Sequence, residues 1–167
     1  MWHKNLIIIL FLYLFVLLEG GFLNHFAICG VVPNLVLILL CLAAFFEKPH
    51  GYSGIFLAVF SGLFLDIFSK LFFGVSILTM VIIYLLIREL IHILRDTRQK
   101  HSIFYFIPIF ILCLIMYDFF LILFSYLTDH SVLLSFGGYT LLIKIAYNLV
   151  FATAGFMLFK KLPALRL

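Results

Sequence analysis

The chain has 167 residues, of which 66% are hydrophobic and only 11% are charged. A soluble domain of this composition would have too little polar surface to cover its apolar side chains, so the composition excludes an ordinary globular protein and indicates an integral membrane protein. The net charge of +4 does not indicate nucleic-acid binding, because the basic residues lie in short loops and tails and not on one exposed face. The three cysteines show no paired or metal-ligand spacing and are typical of small buried hydrophobic residues.

Six apolar runs follow one another, and each is expected to form one transmembrane helix of a single polytopic domain covering residues 1–167. The predicted spans cover residues 6–23, 33–46, 52–69, 75–94, 103–127 and 138–159. Runs of about 20 residues just cross a hydrocarbon core of roughly 30 Å, although the second run is short. Gly20 and Gly21 break the first run, and Pro33 opens the second, since proline is tolerated in a first helical turn. The sequence therefore predicts an all-α membrane protein with six transmembrane helices in a compact bundle.

The distribution of Lys and Arg predicts the orientation of this bundle. Alternating spans place nine basic residues on one side and only Lys70 on the other, with Lys144 left out because it lies inside the sixth span. The nine are Lys4, Lys48, Arg88, Arg95, Arg98, Lys100, Lys160, Lys161 and Arg166. Because cytoplasmic loops are enriched in basic residues, both termini are expected in the cytoplasm. A five-span arrangement is disfavoured, since it would put the basic tail and the basic loop at 95–101 on opposite sides.

The stretch from Gly54 to Gly74 is expected to organise the other helices. Gly54, Ala58, Gly62 and Asp66 recur every fourth residue and form one stripe on a helix. Small residues let a neighbouring helix approach closely in lipid, and a carboxylate in hydrocarbon turns inward or toward water. The stripe therefore serves either packing within the chain or binding of a partner, and Gly74 admits the fourth span.

Three further polar side chains lie inside predicted spans. Lys144 and Asn148 share one face of the sixth span with small residues, and Asp118 lies in the body of the fifth. Lys144 has a depth comparable to that of Asp66, so the two form a pair if spans three and six touch. These groups are either structural partners of one another or contacts to a ligand or partner protein.

Motifs of catalysis are not found. The six histidines lack the spacing or the local acidic partner of a metal site, and there is neither a G-x-S-x-G elbow nor a phosphate-binding glycine loop. Asp66 and Asp118 lie in separate spans, as an intramembrane aspartyl pair would, but neither has the sequence context of one. We therefore expect a protein without enzymatic activity, metal or cofactor.

Several sequence blocks resemble the MreD family of bacterial rod-shape proteins. They are Pro33-Asn34-Leu35-Val36-Leu37-Ile38-Leu39-Leu40, Gly54, Gly62-Leu63-Phe64-Leu65-Asp66-Ile67-Phe68-Ser69, Gly74-Val75-Ser76 and Ala146-Tyr147-Asn148-Leu149. The block from Gly62 to Gly74 is the most specific. Many family members have Asp where Asn34 stands, and a small or proline-containing turn at 70–73.

The resemblance implies a non-enzymatic scaffold of the rod-shape (elongation) complex in the bacterial cytoplasmic (inner) membrane. Such a protein binds MreC, and through it links MreB to the RodA glycosyltransferase and its transpeptidase partner during lateral peptidoglycan synthesis. It would present close-packing faces to a single-span partner such as MreC, with Asp66 fixing the geometry of spans three and six.

One alternative follows from the same resemblance. MreD proteins are similar in fold to the six-helix substrate-binding subunits of energy-coupling-factor vitamin transporters. The alternative is therefore a vitamin-binding subunit whose pocket opens outward near Asp66, Lys144 and Asn148. Against it, the outer loops are short and mostly apolar, and they contain no aromatic and polar cluster typical of a vitamin site.

Overall fold

The computed structural model describes residues 2–47, 53–68, 72–93, 103–128 and 138–161, and within these ranges the regular structure is helical. The described residues form six α-helices in chain order: α1 (Trp2–Leu17), α2 (Leu35–Phe46), α3 (Ser53–Phe68), α4 (Val75–Ile93), α5 (Ile103–Thr128) and α6 (Gly138–Lys161). They agree with the six predicted apolar runs to within a few residues. The predicted hydrophilic loop at 95–101, most of the connection at 128–136 and the tail beyond Lys161 lie outside the described residues.

The connection from α1 to α2 is not a simple break at the two glycines. The chain continues from α1 as a π-helical turn (Leu18–Phe22) and a 3-10 turn (Leu23–Phe26). Gly20 and Gly21 therefore lie inside a distorted helical turn, and the helical path ends at Phe26.

Three of the described helices are long and apolar enough to cross a membrane, over Val75–Ile93, Ile103–Phe124 and Tyr139–Lys161. The other three apolar helices are shorter, with Leu35–Phe46 the shortest. These lengths and compositions mark the chain as an all-α membrane protein.

The centre of the bundle is α2. This helix packs against all five other α-helices, and ten of its 12 residues are buried. It is apolar on every side, which is the pattern of a helix enclosed by others. The prediction that the third span organises the bundle is therefore wrong, since α3 packs mainly on α4 and the enclosed helix is α2.

Aromatic side chains hold the C-terminal end of α2 against the two longest helices. The ring of Phe45 lies 5.5 Å from that of Phe106 on α5 and 5.9 Å from that of Phe156 on α6. Phe46 also contacts Phe156, at 5.3 Å. Such edge-on and tilted contacts are favourable beyond the area they bury, by about 0.5–1.5 kcal/mol each. They fix the level of α2 relative to α5 and α6.

Candidate functional site

The Asp66 carboxylate caps the N-terminus of α4. Its Oδ2 accepts a hydrogen bond from the N–H of Gly74 at 2.7 Å, and its Oδ1 accepts one from the N–H of Ser76 at 2.9 Å. The first N–H groups of a helix have no partner within the helix, and the helix dipole stabilises a carboxylate there. Gly74 has a φ of +104°, a conformation that favours glycine. Asp66 thus ties the end of α3 to the start of α4.

The stripe of small residues on α3 faces α4. A Cβ added at Gly62 would lie 2.7 Å from the backbone nitrogen of Ile77 and 2.8 Å from the carbonyl oxygen of Ser76. Gly54 and Ala58 are buried along the same stripe. This face is therefore occupied by a helix of the same chain, and a partner helix has to use another surface.

Glu47 repeats the arrangement of Asp66 at the start of α3. Its Oε1 accepts a hydrogen bond from the N–H of Gly54 at 2.9 Å, and its Oε2 accepts one from the Tyr84 hydroxyl at 2.8 Å. Arg88 lies beside Tyr84 on the next turn of α4. Glu47 is not among the residues predicted from the sequence, where it is only part of a turn.

A second group of polar side chains surrounds the start of α2, and we call it the polar cluster. Its members are Glu19, Asn34, Tyr117, Asp118, Lys144 and Asn148. Asn34 Oδ1 accepts a hydrogen bond from the N–H of Leu37 at 2.7 Å, and the Asn34 N–H donates to Asn148 Oδ1 at 2.8 Å. Asn34 is thus the N-cap of α2, a position that asparagine favours. For this reason α2 begins at Leu35, two residues after the predicted start.

Lys144 pairs with Asp118 and not with Asp66. Its Nζ lies 2.5 Å from Asp118 Oδ1, with the two side chains 27% and 8% exposed. The suggested pair with Asp66 is wrong because α6 packs on α2 and α5, whereas α3 packs mainly on α4. Asp66 accordingly fixes spans three and four, and not spans three and six. The Asn148 amide, which donates to the Lys144 carbonyl at 2.9 Å, continues the cluster along α6.

Glu19 completes the polar cluster and is not predicted from the sequence. Its carboxylate lies beside the backbone N–H groups of Leu35 and Val36 and within the field of the Lys144 ammonium. Among the described residues, its Oε2 is buried without a hydrogen-bond partner. Tyr117 lies within the field of the same carboxylate. Glu19 belongs to the π-helical turn, a feature that is frequent at functional sites.

The chemistry available at the polar cluster is recognition of a polar or charged group. Among the described residues it holds the ammonium of Lys144, one buried carboxylate oxygen of Glu19 that lacks a donor, and the amides of Asn34 and Asn148, which are already paired. Within the described ranges, no three His, Cys, Asp or Glu side chains are grouped to hold a metal ion. Comparison with protein-family models, curated proteins and solved structures finds no match to this chain.

Proposed function

We propose that the chain is a scaffold of the MreD type in the bacterial rod-shape complex, placed in the cytoplasmic (inner) membrane. All six helices cross the membrane in this proposal, and both termini lie in the cytoplasm, as the basic residues predict. The protein binds MreC and through it couples MreB to RodA and its transpeptidase partner during lateral wall synthesis. It has no enzymatic activity of its own.

The observation that carries the proposal is that the separate family-like blocks bind one another. Asp66 of the most specific block caps the helix that opens with Gly74-Val75-Ser76. The N–H of Asn34, in the second-span block, donates a hydrogen bond to Asn148 of the last block, although the two residues lie 114 positions apart in the chain. Family-like residues that also form the internal hydrogen bonds of the bundle support a shared fold. The shared function rests on the resemblance itself.

Short helices can serve as membrane spans when the backbone N–H and C=O groups at their ends have hydrogen-bond partners inside the protein. Non-helical backbone at membrane depth is tolerated only where it is buried in protein or lines a water-filled cavity. The N–H of Asn34 is bonded to Asn148, and the N–H of Gly74 to Asp66. The N–H groups that open α2 and α4 are therefore satisfied inside the protein at these two positions.

A partner helix needs a surface that the chain itself leaves open, and α6 offers one. Of the three long helices, α6 is the least buried. Ala146, Val150 and Ala154 are exposed at four-residue spacing on it, and small or short side chains in this pattern allow a close helix crossing. We place the contact with MreC on this face.

Photo-crosslinking tests both parts of the proposal. The tagged chain is coexpressed with the MreC of the same genome, with a photoreactive residue at Val150 or, as a control, at Phe56, which is 61% exposed on α3. We expect MreC to co-purify, and to crosslink from Val150 but not from Phe56. Co-purification with a crosslink from Phe56 alone would move the contact away from α6, and absence of MreC from the eluate would reject the scaffold. Genes for MreB and MreC beside this gene would be a further support.

The polar cluster favours one second candidate, a vitamin-binding subunit of an energy-coupling-factor transporter. A mixed group of carboxylate, ammonium and amide side chains at one end of a helix bundle suits a small polar ligand. The test is thermal unfolding of the purified protein with a panel of water-soluble vitamins. A reproducible rise of the unfolding temperature, or a co-isolated vitamin, would favour this candidate over the scaffold.

A further inference from the structure

The carboxyl group of Glu19 lies where the chain that follows α1 meets α2, α5 and α6. It belongs to the π-helical turn after α1, and the backbone N–H groups of Leu35 and Val36 lie beside it at the start of α2. From α6 the ammonium of Lys144 acts on it, and on α5 the Tyr117 side chain lies within its field. Its Oε2 is buried and has no hydrogen-bond donor among the described residues. With neither water nor a donor at this oxygen, the surrounding charges decide whether it is ionised.

The polar cluster contains two carboxyl groups and one ammonium group. Lys144 Nζ lies 2.5 Å from Asp118 Oδ1, so the ammonium is already paired with one of the two carboxyl groups. If Glu19 were ionised as well, these three groups would carry one net negative charge. A buried charge without a partner is strongly unfavourable, above all inside a bilayer. A protonated Glu19 leaves the three groups neutral together.

The start of α2 favours a negative charge on Glu19 but does not satisfy one. The N–H groups of Leu35 and Val36 stabilise an anion at a helix N-terminus, yet neither reaches Oε2. The side-chain cap of α2 is already supplied by Asn34 Oδ1, which accepts from the N–H of Leu37. An unsatisfied buried group costs more when it is charged than when it is neutral. The neutral acid is therefore the form of Glu19 that these surroundings favour.

Other titratable groups near this junction do not change the balance. Tyr117 is uncharged at neutral pH, and Asp118, also on α5, is paired with the ammonium. Asp66, at the end of α3, accepts from backbone N–H groups at the start of α4. His25, in the following 3-10 turn, is exposed and bonds to a backbone carbonyl of the π-helical turn. Among the described groups, none of these adds a second cation to the field at Glu19.

We propose that Glu19 is a proton-binding site, with a hydrogen on Oε2 at neutral pH while Asp118 stays ionised and paired with Lys144. The bound proton keeps the polar cluster neutral and lets the turn after α1 pack against the start of α2. Release of the proton leaves two carboxylates for one ammonium, so the junction between α1 and α2 is the part of the bundle that responds to pH. This inference goes beyond the scaffold proposal and does not depend on MreC.

Infrared spectroscopy of the purified full-length protein, in a detergent without ester groups, tests the charge state directly. The carbonyl stretch of a protonated carboxyl group lies above the amide I band, whereas the stretches of a carboxylate lie below it. We expect a protonated-carboxyl band at neutral pH that Glu19→Gln removes. Glu89→Gln, at an exposed position toward the C-terminal end of α4, should retain the band. Absence of the band from the wild-type protein, or its survival in Glu19→Gln, would overturn the proposal.

Asp118→Asn tests whether charge balance holds the proton, and it needs no change at Glu19. The variant removes the partner of Lys144, so Glu19 becomes the carboxyl group of the polar cluster that can balance the ammonium. We expect Glu19 to ionise in this variant and the protonated-carboxyl band to disappear. A band that persists in Asp118→Asn would overturn the proposal, and this variant decides if Glu19→Gln does not fold.

The pH dependence of stability gives an independent measurement. An exposed glutamate in the unfolded chain is ionised at neutral pH, so folding takes up one proton at Glu19 and stability falls as the pH rises. Relative to Glu19→Gln, the unfolding equilibrium constant of the wild-type protein should rise about tenfold for each pH unit between about pH 5 and pH 7. The same pH dependence in both proteins would overturn the proposal. If MreC still co-purifies in that case, the proton site alone is rejected.

Discussion

Gly62→Ala tests how closely α3 and α4 approach each other. The added Cβ would lie 2.7 Å from Ile77 N and 2.8 Å from Ser76 O, whereas ordinary contacts begin near 3.4 Å. The Cα of Ile77 would be nearer still, and all three neighbours are backbone atoms, so the helices must separate by about 1 Å, which lengthens the hydrogen bond that Asp66 accepts from Ser76. Overpacking costs about 1–3 kcal/mol, and the better helix propensity of alanine offsets up to about 1 kcal/mol. We expect the free energy of unfolding to fall by about 1–2 kcal/mol.

Gly155→Ala is the matched control for Gly62→Ala. Its added Cβ would lie 2.8 Å from Leu42 Cδ1, the end of a side chain that can turn aside. We expect this variant to lie within about 1 kcal/mol of wild type, because the helix propensity of alanine compensates for the small rearrangement. The measurement is unfolding of the purified protein in mixed micelles with increasing SDS, followed by circular dichroism. If Gly62→Ala unfolds at the same SDS fraction as Gly155→Ala, the close approach of α3 and α4 is refuted.

Three further predictions concern the polar side chains and the thiols. Asp66→Leu leaves the N–H of Gly74 without its acceptor. We expect the free energy of unfolding in SDS to fall by about 2–4 kcal/mol, together with weaker co-purification of MreC. Wild-type values of both would show that Asp66 does not stabilise the bundle. Lys144→Met leaves the buried carboxylate of Asp118 without its partner, and we expect the free energy of unfolding to fall by about 3–5 kcal/mol. Adding Asp118→Leu should restore most of this loss. Additive losses in this double-mutant cycle would contradict the ion pair. A maleimide should modify Cys29 in the folded protein and reach the other two thiols, both buried, only after unfolding in SDS, so modification of all three at equal rates would contradict the packing.

The apolar runs and the stripe on α3 are predictable from the sequence because both depend on local periodicity. The position of α2 at the centre is not. In lipid every run is apolar around most of its circumference, so composition alone does not tell an enclosed helix from one that faces acyl chains. The distinction depends on which helices are neighbours, and this information is spread over the whole chain.

The polar contacts show the same limit. Depth along the membrane suggests Asp66 as the partner of Lys144, but adjacency of α5 and α6 selects Asp118. A usable signal for the caps exists nonetheless. Asp66 precedes its glycine by eight residues and Glu47 precedes Gly54 by seven, so an acidic residue near one helix end followed by glycine at the next helix start indicates a cap across the turn. Glu19 offers no comparable signal, because its surroundings come from three separate helices.

The separations of these hydrogen-bonded residues imply an order of assembly during synthesis. The caps made by Glu47 and Asp66 close within seven and eight residues, so each is complete as soon as its own hairpin has left the ribosome and entered the lipid. Asn34 must wait for a side chain 114 residues later. Until the final segment is inserted, the amide at the start of α2 has no such acceptor, and nascent chains that stop before Asn148 should be the ones that membrane proteases remove.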